Sequence, residues 1–268
     1  MLKGLIAAAL VCMMTSASAQ TGAPPPDVLK DLAPSGKIRA AINFGNVVLA
    51  QKDAKTGEAK GITPELAREL ARRLGVAVEF VPFESAGDVF AAGKKGEWDI
   101  AFIAIEPVRA AEIEFTAPYV IIEGTYMVTA GSPLKTVADV DHPGKRIAVN
   151  VGSAYDLYLT RNLKNAVLVR GDSIKGPEAF DIFVKDKLDA VAGVRQALAA
   201  YADTHSGMRI MQDRFMDIRQ AMGTPKGRLA GVGYLKSFIE DVKASGFVAA
   251  ALKRSGQSAD VAPPEVVT

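Results

Sequence analysis

Short apolar segments alternate with amphipathic segments along most of this chain. The amphipathic segment at 63–75 repeats leucine at every fourth residue, which places one apolar stripe on a helix. Thr63 as N-cap, Pro64 at the first helical position and Gly75 at the end suit that helix. The pattern predicts strands at 37–42, 76–81, 98–104, 119–130, 146–151, 166–169, 188–192 and 217–222, and it predicts that the strand at 76–81 is buried. It predicts helices at 63–75, 85–95, 177–185 and 228–244, and one that begins near Ser153.

The order of these elements predicts an α/β fold. Alternating strands and helices build a parallel sheet through right-handed crossovers, and the nearly continuous apolar segment 98–104 suits a central strand. Two such series flank the long segment 119–130. We therefore expect two lobes, each a mostly parallel sheet flanked by helices, with a ligand cleft between them. The predicted first lobe is 36–126 with 219–268 and the second is 127–218, joined near Tyr126 and Ile218.

The first 35 residues precede both series. Residues 1–19 combine Lys3, a short apolar run and a small-residue site that ends at Ala19, the pattern of a cleavable secretory signal. Neither that run nor any later segment has the roughly 18 apolar residues of a membrane span. Residues 20–35 contain three consecutive prolines, so we expect a leader outside the core.

Cys12 is the only cysteine and lies inside the predicted signal. The mature chain would therefore have no disulfide and no thiolate metal site, which favours export to a bacterial periplasm. Lipid attachment at Cys12 is an alternative that Val11 disfavours, because a small residue normally precedes such a cysteine.

The charge balance indicates a small-molecule partner. A formal net charge of +2 gives no long-range field that would favour nucleic acid. His142 and His205 lie in polar turns without partners at metal-ligand spacing, and we expect both to be exposed. No hydrolase elbow, phosphate loop or zinc motif occurs, so the sequence predicts no catalytic residue, no metal and no cofactor.

Ligands of open α/β sheets bind beyond the carboxyl ends of the strands, where loops and helix N-termini converge. Applied to the predicted strands, this rule selects four loops that would face one cleft. The candidate binding residues are Asn43, Phe44, Asn46, Ala104, Arg109, Gly152, Ser153, Tyr155, Val194 and Arg195.

Arg109 is the first of these candidates, because a guanidinium presents a fork of donors that matches a carboxylate. Its alternative is a surface salt bridge with Glu106 or Glu112. Gly152 and Ser153 would offer a helix N-terminus to the same anion, although a simple N-cap explains them equally well.

The other candidates have structural alternatives as well. Asn43 and Asn46 either contact the ligand or satisfy their own backbone. Phe44 and Trp98 either stack on a ligand or pack into the core, and for Trp98 we favour the core. Arg195 either adds a second positive contact, caps a helix or faces solvent.

One motif relates these positions to a known family. Trp98 and Asp99, an apolar strand, Arg109 and then residues 115–119, Phe-Thr-Ala-Pro-Tyr, resemble the signature of ABC-importer amino-acid-binding proteins, the extracellular solute-binding family 3. Supporting similarities lie at 61–67, 144–149, 152–153 and 188–191, so that the resemblance runs from about residue 37 to 246.

The resemblance implies a two-lobed clamp that delivers its ligand to an inner-membrane permease. It implies that Arg109 binds the ligand's α-carboxylate, with Gly152 and Ser153 adding backbone and hydroxyl contacts. This chain departs from the pattern at Val194, where amino-acid binders place an aspartate for the ligand ammonium. At three further positions, Asn43 replaces an acidic residue, Asn46 an aromatic and Ala104 a hydroxyl residue.

These departures leave a ligand ammonium without its counter-charge, and an unpaired buried charge is costly. We therefore expect a monomeric, non-enzymatic periplasmic binding component for a small organic acid or amino-acid-like ligand other than a standard zwitterionic amino acid. Two alternatives are a cyclohexadienyl dehydratase-like enzyme, which needs a general acid in the cleft, and a ligand-sensing module for a signalling partner.

Overall fold

The computed structural model describes residues 24–171 and 178–266. The predicted signal, with Cys12, and Pro177 lie outside the described residues. The strands are β1 Lys37–Asn43, β2 Gln51–Lys52, β3 Ala59–Lys60, β4 Ala77–Phe83, β5 Ile100–Ala104, β6 Ile113–Thr129, β7 Arg146–Val149, β8 Val167–Arg170, β9 Ala190–Val194, β10 Met208–Ile210, β11 Met216–Pro225 and β12 Asp260–Val261. The helices are α1 Pro26–Leu32, α2 Ile62–Leu74, α3 Ala86–Gly93, α4 Pro107–Ala110, α5 Ala154–Asn162, α6 Glu178–Lys185, α7 Arg195–Thr204, α8 Leu229–Ala244 and α9 Phe247–Arg254, with a 3-10 turn at Val137–Val140.

The main sheet has the strand order β4-β1-β5-β11-β6-β9-β7-β8. We call the part built on β4, β1 and β5 the first lobe and the part built on β9, β7 and β8 the second lobe. The strands are parallel within each of these groups, whereas β11 and β6 run antiparallel to their neighbours. The predicted α/β fold is confirmed, and each strand and helix predicted from the sequence has a counterpart.

Strands β6 and β11 connect the two lobes. They pair with each other from Ile113 opposite Pro225 to Gly124 opposite Met216, and β6 then pairs with β9 from Gly124 onward. Gly124 is closely packed, because a Cβ there would lie 2.7 Å from the Met216 side chain and would force that side chain to shift. The predicted junction residues Tyr126 and Ile218 lie in these two strands, and the exact lobe boundaries remain predictions.

The predicted leucine stripe of α2 packs into the core of the first lobe. Leu66, Leu70 and Leu74 are all at most 2% exposed. The helix begins at Ile62 rather than after Thr63, so the prediction of Thr63 as N-cap is wrong. Thr63 is buried, and its hydroxyl donates instead to the backbone carbonyl of Leu49.

Two further expectations about burial are wrong. Strand β4 is an edge strand with a half-exposed side, because only β1 pairs with it along the sheet. The predicted leader contains helix α1, which begins at Pro26, where the missing proline N–H is not needed. Val28 and Leu32 of that helix are buried, and Asp31 accepts a hydrogen bond from the backbone N–H of Gly231.

Several short elements have no counterpart in the predictions, namely α1, α4, α7, α9, β2, β3, β10 and β12. They are two to ten residues long, too short for periodicity to identify most of them. Across the described ranges, no helix combines the length and the apolar character needed to span a membrane.

Candidate functional site

A cavity of about 100 Å³ lies between the two lobes. It forms where the carboxyl ends of β1 and β5 face those of β7 and β9, the position expected for ligands of open α/β sheets. Of the predicted binding residues, those lining the cavity are Asn43, Asn46, Ala104, Arg109, Ser153, Tyr155 and Val194. The rule that ligands bind beyond the carboxyl ends of the strands thus selected seven residues that line one cavity.

The lobes touch each other beside this cavity. A Cβ on Gly87 of α3 would lie 3.2 Å from the carbonyl oxygen of Val151, so the two backbones are in close approach. Glu106, which precedes α4, forms an ion pair with Arg161 of α5 at 2.5 Å. These contacts define a closed arrangement, in which a ligand would be largely removed from water.

Arg109 is almost fully buried, with 1% of its surface exposed. Its Nη1 donates to the carbonyl of Ala104 and its Nη2 to the carbonyl of Gly152, both at 2.9 Å, while its Nε has no partner within the described part of the chain. Burial lowers the pKa of Arg109 to about 10, against the opposing effect of Glu106. The guanidinium is thus a cation at neutral pH with unused donors.

The alternative considered for Arg109, a surface salt bridge, is contradicted by this burial. No ion pair joins Arg109 to Glu106 or Glu112 among the described residues, and Glu106 pairs with Arg161 instead. A buried guanidinium without an anionic partner is unfavourable, and an anion in the cavity would relieve that cost.

The N-terminus of α5 lies beside Arg109. Ser153 is its N-cap, and the Ser153 hydroxyl oxygen accepts from the backbone N–H of Asp156. Asp156 in turn accepts from the N–H of Gly152, so that N–H is already used. The backbone N–H groups of Ala154 and Tyr155, which both line the cavity, make no hydrogen bond within the described residues. A helix N-terminus with free donors favours an anion.

The sequence matches the model of the bacterial extracellular solute-binding proteins, family 3, over residues 48–257. The chain belongs to this family. The resemblance noted in the sequence is confirmed, and so is the two-lobed α/β fold. Family 3 members are extracellular binding proteins, in agreement with the cavity between two lobes.

Solved structures of amino-acid-binding proteins share this fold. A mutant of ArgBP from T. maritima has a TM-score of 0.71 at 20% identity, with 85% of this chain and 99% of that chain covered. The solute receptor for L-cysteine of Neisseria gonorrhoeae has a TM-score of 0.71 at 22% identity, covering 83% and 90%. An ancestral amino acid-binding protein, a precursor of cyclohexadienyl dehydratase, has a TM-score of 0.69 at 23% identity, covering 84% and 98%. The search of curated proteins finds no match.

Asn43 and Asn46 of this family 3 protein satisfy their own backbone and also line the cavity. Their side-chain oxygens accept from the backbone N–H groups of Gly45 and Val48, as expected of loop asparagines. Both residues nevertheless line the cavity, and their amide Nδ2 atoms make no hydrogen bond to the described residues. Each can therefore still donate to a ligand.

Three candidates do not line the cavity. Phe44 packs against the core, with the Lys52 ammonium 4.8 Å from its ring centre. Gly152 contributes its carbonyl to Arg109 rather than a contact to the cavity. Arg195 turns away, pairs with Glu123 and donates to the carbonyl of Met211. Phe44 and Arg195 thus lie outside the cavity wall, in keeping with the structural alternatives considered for them.

Two further structural expectations, on Trp98 and on the histidines, are confirmed. Trp98 is fully buried, and its Nε1 donates to the carbonyl of Val89 at 2.8 Å. His142 and His205 are exposed.

The cavity contains little charge. Among the described lining residues, Arg109 is the only cation and Glu84 the only carboxylate. Glu84 does not compensate a buried charge, because its side chain is 55% exposed and pairs with Lys52 at 2.8 Å. Val194, where the resemblance noted in the sequence implies an aspartate in amino-acid binders, presents methyl groups to the cavity. The described lining residues therefore offer one buried positive charge and no buried carboxylate.

Several residues that line the cavity were not among the predicted binding residues. The rule on strand ends did not select six residues that line the cavity: Glu84 and Ser85 before α3, Asn150 after β7, Phe180 of α6, and Ile218 and Gln220 of β11. Residues 218 and 220 are two positions apart in a predicted strand, so their side chains point to the same face of the sheet. That this face borders the cavity follows only from the pairing of β11 with β5.

Proposed function

We propose that this chain is the periplasmic substrate-binding component of an ABC importer and that it binds a small carboxylate-bearing solute in the cavity between its lobes. Arg109 carries this proposal, because it is a buried guanidinium with free donors and no anionic partner among the described residues. The protein acts as an exported monomer that hands its ligand to a permease in the inner membrane.

A carboxylate fits the donors that the cavity offers. One oxygen can accept from the Nε and remaining Nη hydrogens of Arg109, and the other from the free backbone N–H groups at the start of α5. Charge-assisted hydrogen bonds of this kind are about twice as strong as neutral ones. Because water is largely excluded from the closed cavity, these bonds are stronger than they would be in water.

A standard zwitterionic amino acid fits less well. Its ammonium would be buried without a carboxylate, since Val194 is apolar and Glu84 is exposed and already paired. The desolvation of an unpaired ammonium outweighs the hydrogen bonds that Asn43 and Asn46 can offer. Selectivity for organic acids over amino acids follows from the absence of this counter-charge. The same scarcity of buried acids favours binding without catalysis, because a dehydratase needs a general acid at the reacting group.

The proposal is tested by a thermal-shift screen of the full secreted chain against small organic acids, their neutral amides and the standard amino acids. Ligand binding stabilises the folded state by mass action, so we expect the melting temperature to rise with the acids and not with their amides. Prephenate is included, and its conversion is followed by absorbance. The proposal would be contradicted if no carboxylate raised the melting temperature, or if the protein converted prephenate.

Replacing Val194 with aspartate should add binding of zwitterionic amino acids. The new carboxylate lies in the cavity wall at the position where amino-acid binders of the family hold the ligand ammonium. A charge-assisted hydrogen bond contributes about 1.5–3 kcal/mol, so we expect affinity for valine to rise by about 10- to 100-fold. Calorimetric titration of the variant and the natural protein measures this change.

Val184→Asp is the matched control, since Val184 lies on α6 and is 49% exposed. It makes the same substitution away from the cavity and should leave both affinities unchanged. Val194 is also the N-cap of α7 and forms no side-chain cap. An aspartate there should not destabilise the fold. Equal valine affinity in Val194→Asp and Val184→Asp would refute the explanation given for ligand selectivity.

A further inference from the structure

Gln220 is a buried residue whose side-chain amide has no hydrogen-bond partner in the part of the chain that the structure describes. It lies in β11, is 4% exposed and lines the cavity. Its side-chain nitrogen and oxygen make no hydrogen bond with the described residues, although they could donate twice and accept twice. A buried amide is normally hydrogen-bonded, because leaving it unpaired is costly. The unpaired amide at the cavity wall therefore points to a ligand group.

Pairing of β11 with β5 places Gln220 next to the Arg109 site. Gln220 of β11 lies directly opposite Ala104 of β5, and the two strands are antiparallel. The neighbouring pair is Arg219 and Ile105, in which the Ile105 N–H donates to the carbonyl of Arg219 at 2.9 Å. Gln220 and Ala104 are therefore a non-hydrogen-bonded pair, in which the side chains lie on one face and are closest together. The carbonyl of Ala104 is the group to which Arg109 donates.

The chemistry of Gln220 limits what it can recognise. A neutral amide gives no counter-charge, and no other cation or buried carboxylate lines the cavity among the described residues. A second carboxylate or an ammonium beside Gln220 would thus be buried unpaired. A hydroxyl, which donates and accepts, or a carbonyl, which accepts, can use the amide fully.

We propose that Gln220 determines specificity by binding a neutral hydroxyl or carbonyl oxygen close to the ligand's carboxylate. The ligands of this chain are then short hydroxy or oxo monocarboxylic acids. This inference rests on the proposed function, because it takes the carboxylate to be held at Arg109. Gln220 of β11 would make a second contact to the ligand, in addition to that of Arg109. This contact narrows the proposed ligands from carboxylates in general to hydroxy and oxo acids.

The test uses acids of three to five carbons in matched sets. Each set has the 2-hydroxy acid, the 2-oxo acid, the unsubstituted acid and the amino acid of one carbon skeleton, titrated calorimetrically into the full secreted chain. We expect the 2-hydroxy or 2-oxo acid to bind about 10-fold more tightly than the unsubstituted acid. In Gln220→Met, which keeps length but removes both hydrogen-bonding groups, this preference should disappear while binding of the unsubstituted acid remains.

Gln212→Met is the control, because Gln212 is exposed and should keep the preference. Gln220→Glu tests the same contact without loss of a polar group: it should weaken binding of the hydroxy acid and improve binding of the amino acid. Circular dichroism and unfolding midpoints confirm that each variant folds. Acids that bind without any preference for the added oxygen, or a preference that survives in Gln220→Met, would overturn this inference and leave the proposed function standing. Absence of carboxylate binding in the natural chain would overturn both.

Discussion

Replacing Arg109 with methionine should weaken carboxylate binding by about 100- to 1000-fold. The substitution removes the only cation among the described cavity-lining residues and with it the charge-assisted hydrogen bonds to the ligand. Two such bonds contribute about 3–4 kcal/mol together, which corresponds to that loss of affinity. Calorimetric titration with the best acid of the screen measures it. Arg109→Lys should be intermediate, because an ammonium keeps the charge but not the fork of donors.

The fold should tolerate this change better than binding does. Without ligand, Arg109 is a buried charge that is compensated by two carbonyls and by the nearby charge of Glu106. An apolar side chain of similar length removes a desolvation cost along with those two bonds. We expect the unliganded melting temperature to change little. Arg72→Met, at a residue whose side chain is 71% exposed, is the matched control and should bind as the natural chain does. Equal affinities for Arg72→Met and Arg109→Met would remove the basis of the proposed function.

The fold was predictable from the sequence wherever a segment was long and strongly patterned. Helix α2 shows its leucine stripe and strand β5 its unbroken apolar run, and both lie where they were expected. Helix α1 was missed because three prolines suggested irregular structure, yet a proline at the first helical position needs no N–H partner. Strand β4 was expected to be buried, and composition cannot show which strand of a sheet lies at its edge.

Only the part of the site that lies at or just after the ends of predicted strands could be predicted from the sequence. Ala104, Ser153 and Val194 follow or end predicted strands, and all line the cavity. Arg195 is one residue beyond Val194 but begins α7, and the helical turn directs its side chain to Glu123. Gln220 was missed because its role depends on which strand pairs with which, and that is decided by contacts far apart in the sequence.

Replacing Asp99 with asparagine should destabilise the fold by about 3 kcal/mol. Asp99 precedes β5, is fully buried and pairs with Arg39 at 2.9 Å and with Arg228 at 3.1 Å. It joins β1, β5 and the start of α8, so the substitution leaves two partly buried guanidinium groups without their anion. Breaking a buried pair costs about 3–5 kcal/mol, and the lower value applies because both arginines are about a quarter exposed. Urea unfolding followed by circular dichroism measures the difference.

The effect should also depend on pH in a defined direction. Burial by itself would raise the pKa of Asp99, but the hydrogen bonds from Arg39 and Arg228 outweigh it and hold the pKa below the usual value. A lowered pKa stabilises the fold at a pH above the unfolded value of about 3.9, and this stabilisation is lost as the pH falls through the folded value. The difference between natural chain and variant should therefore stay constant from about pH 7 to 5 and shrink below about pH 4.

Asp241→Asn separates this effect from the loss of any carboxylate. The Asp241 side chain is 68% exposed, and its contact with Arg73 is long, at 3.3 Å. An exposed pair contributes about 0–1 kcal/mol, so that variant should unfold almost as the natural chain does. A loss of equal size in both variants would show that Asp99 stabilises through general charge balance. A loss confined to Asp99→Asn that fades in acid would show that its buried ion pairs hold the first lobe together.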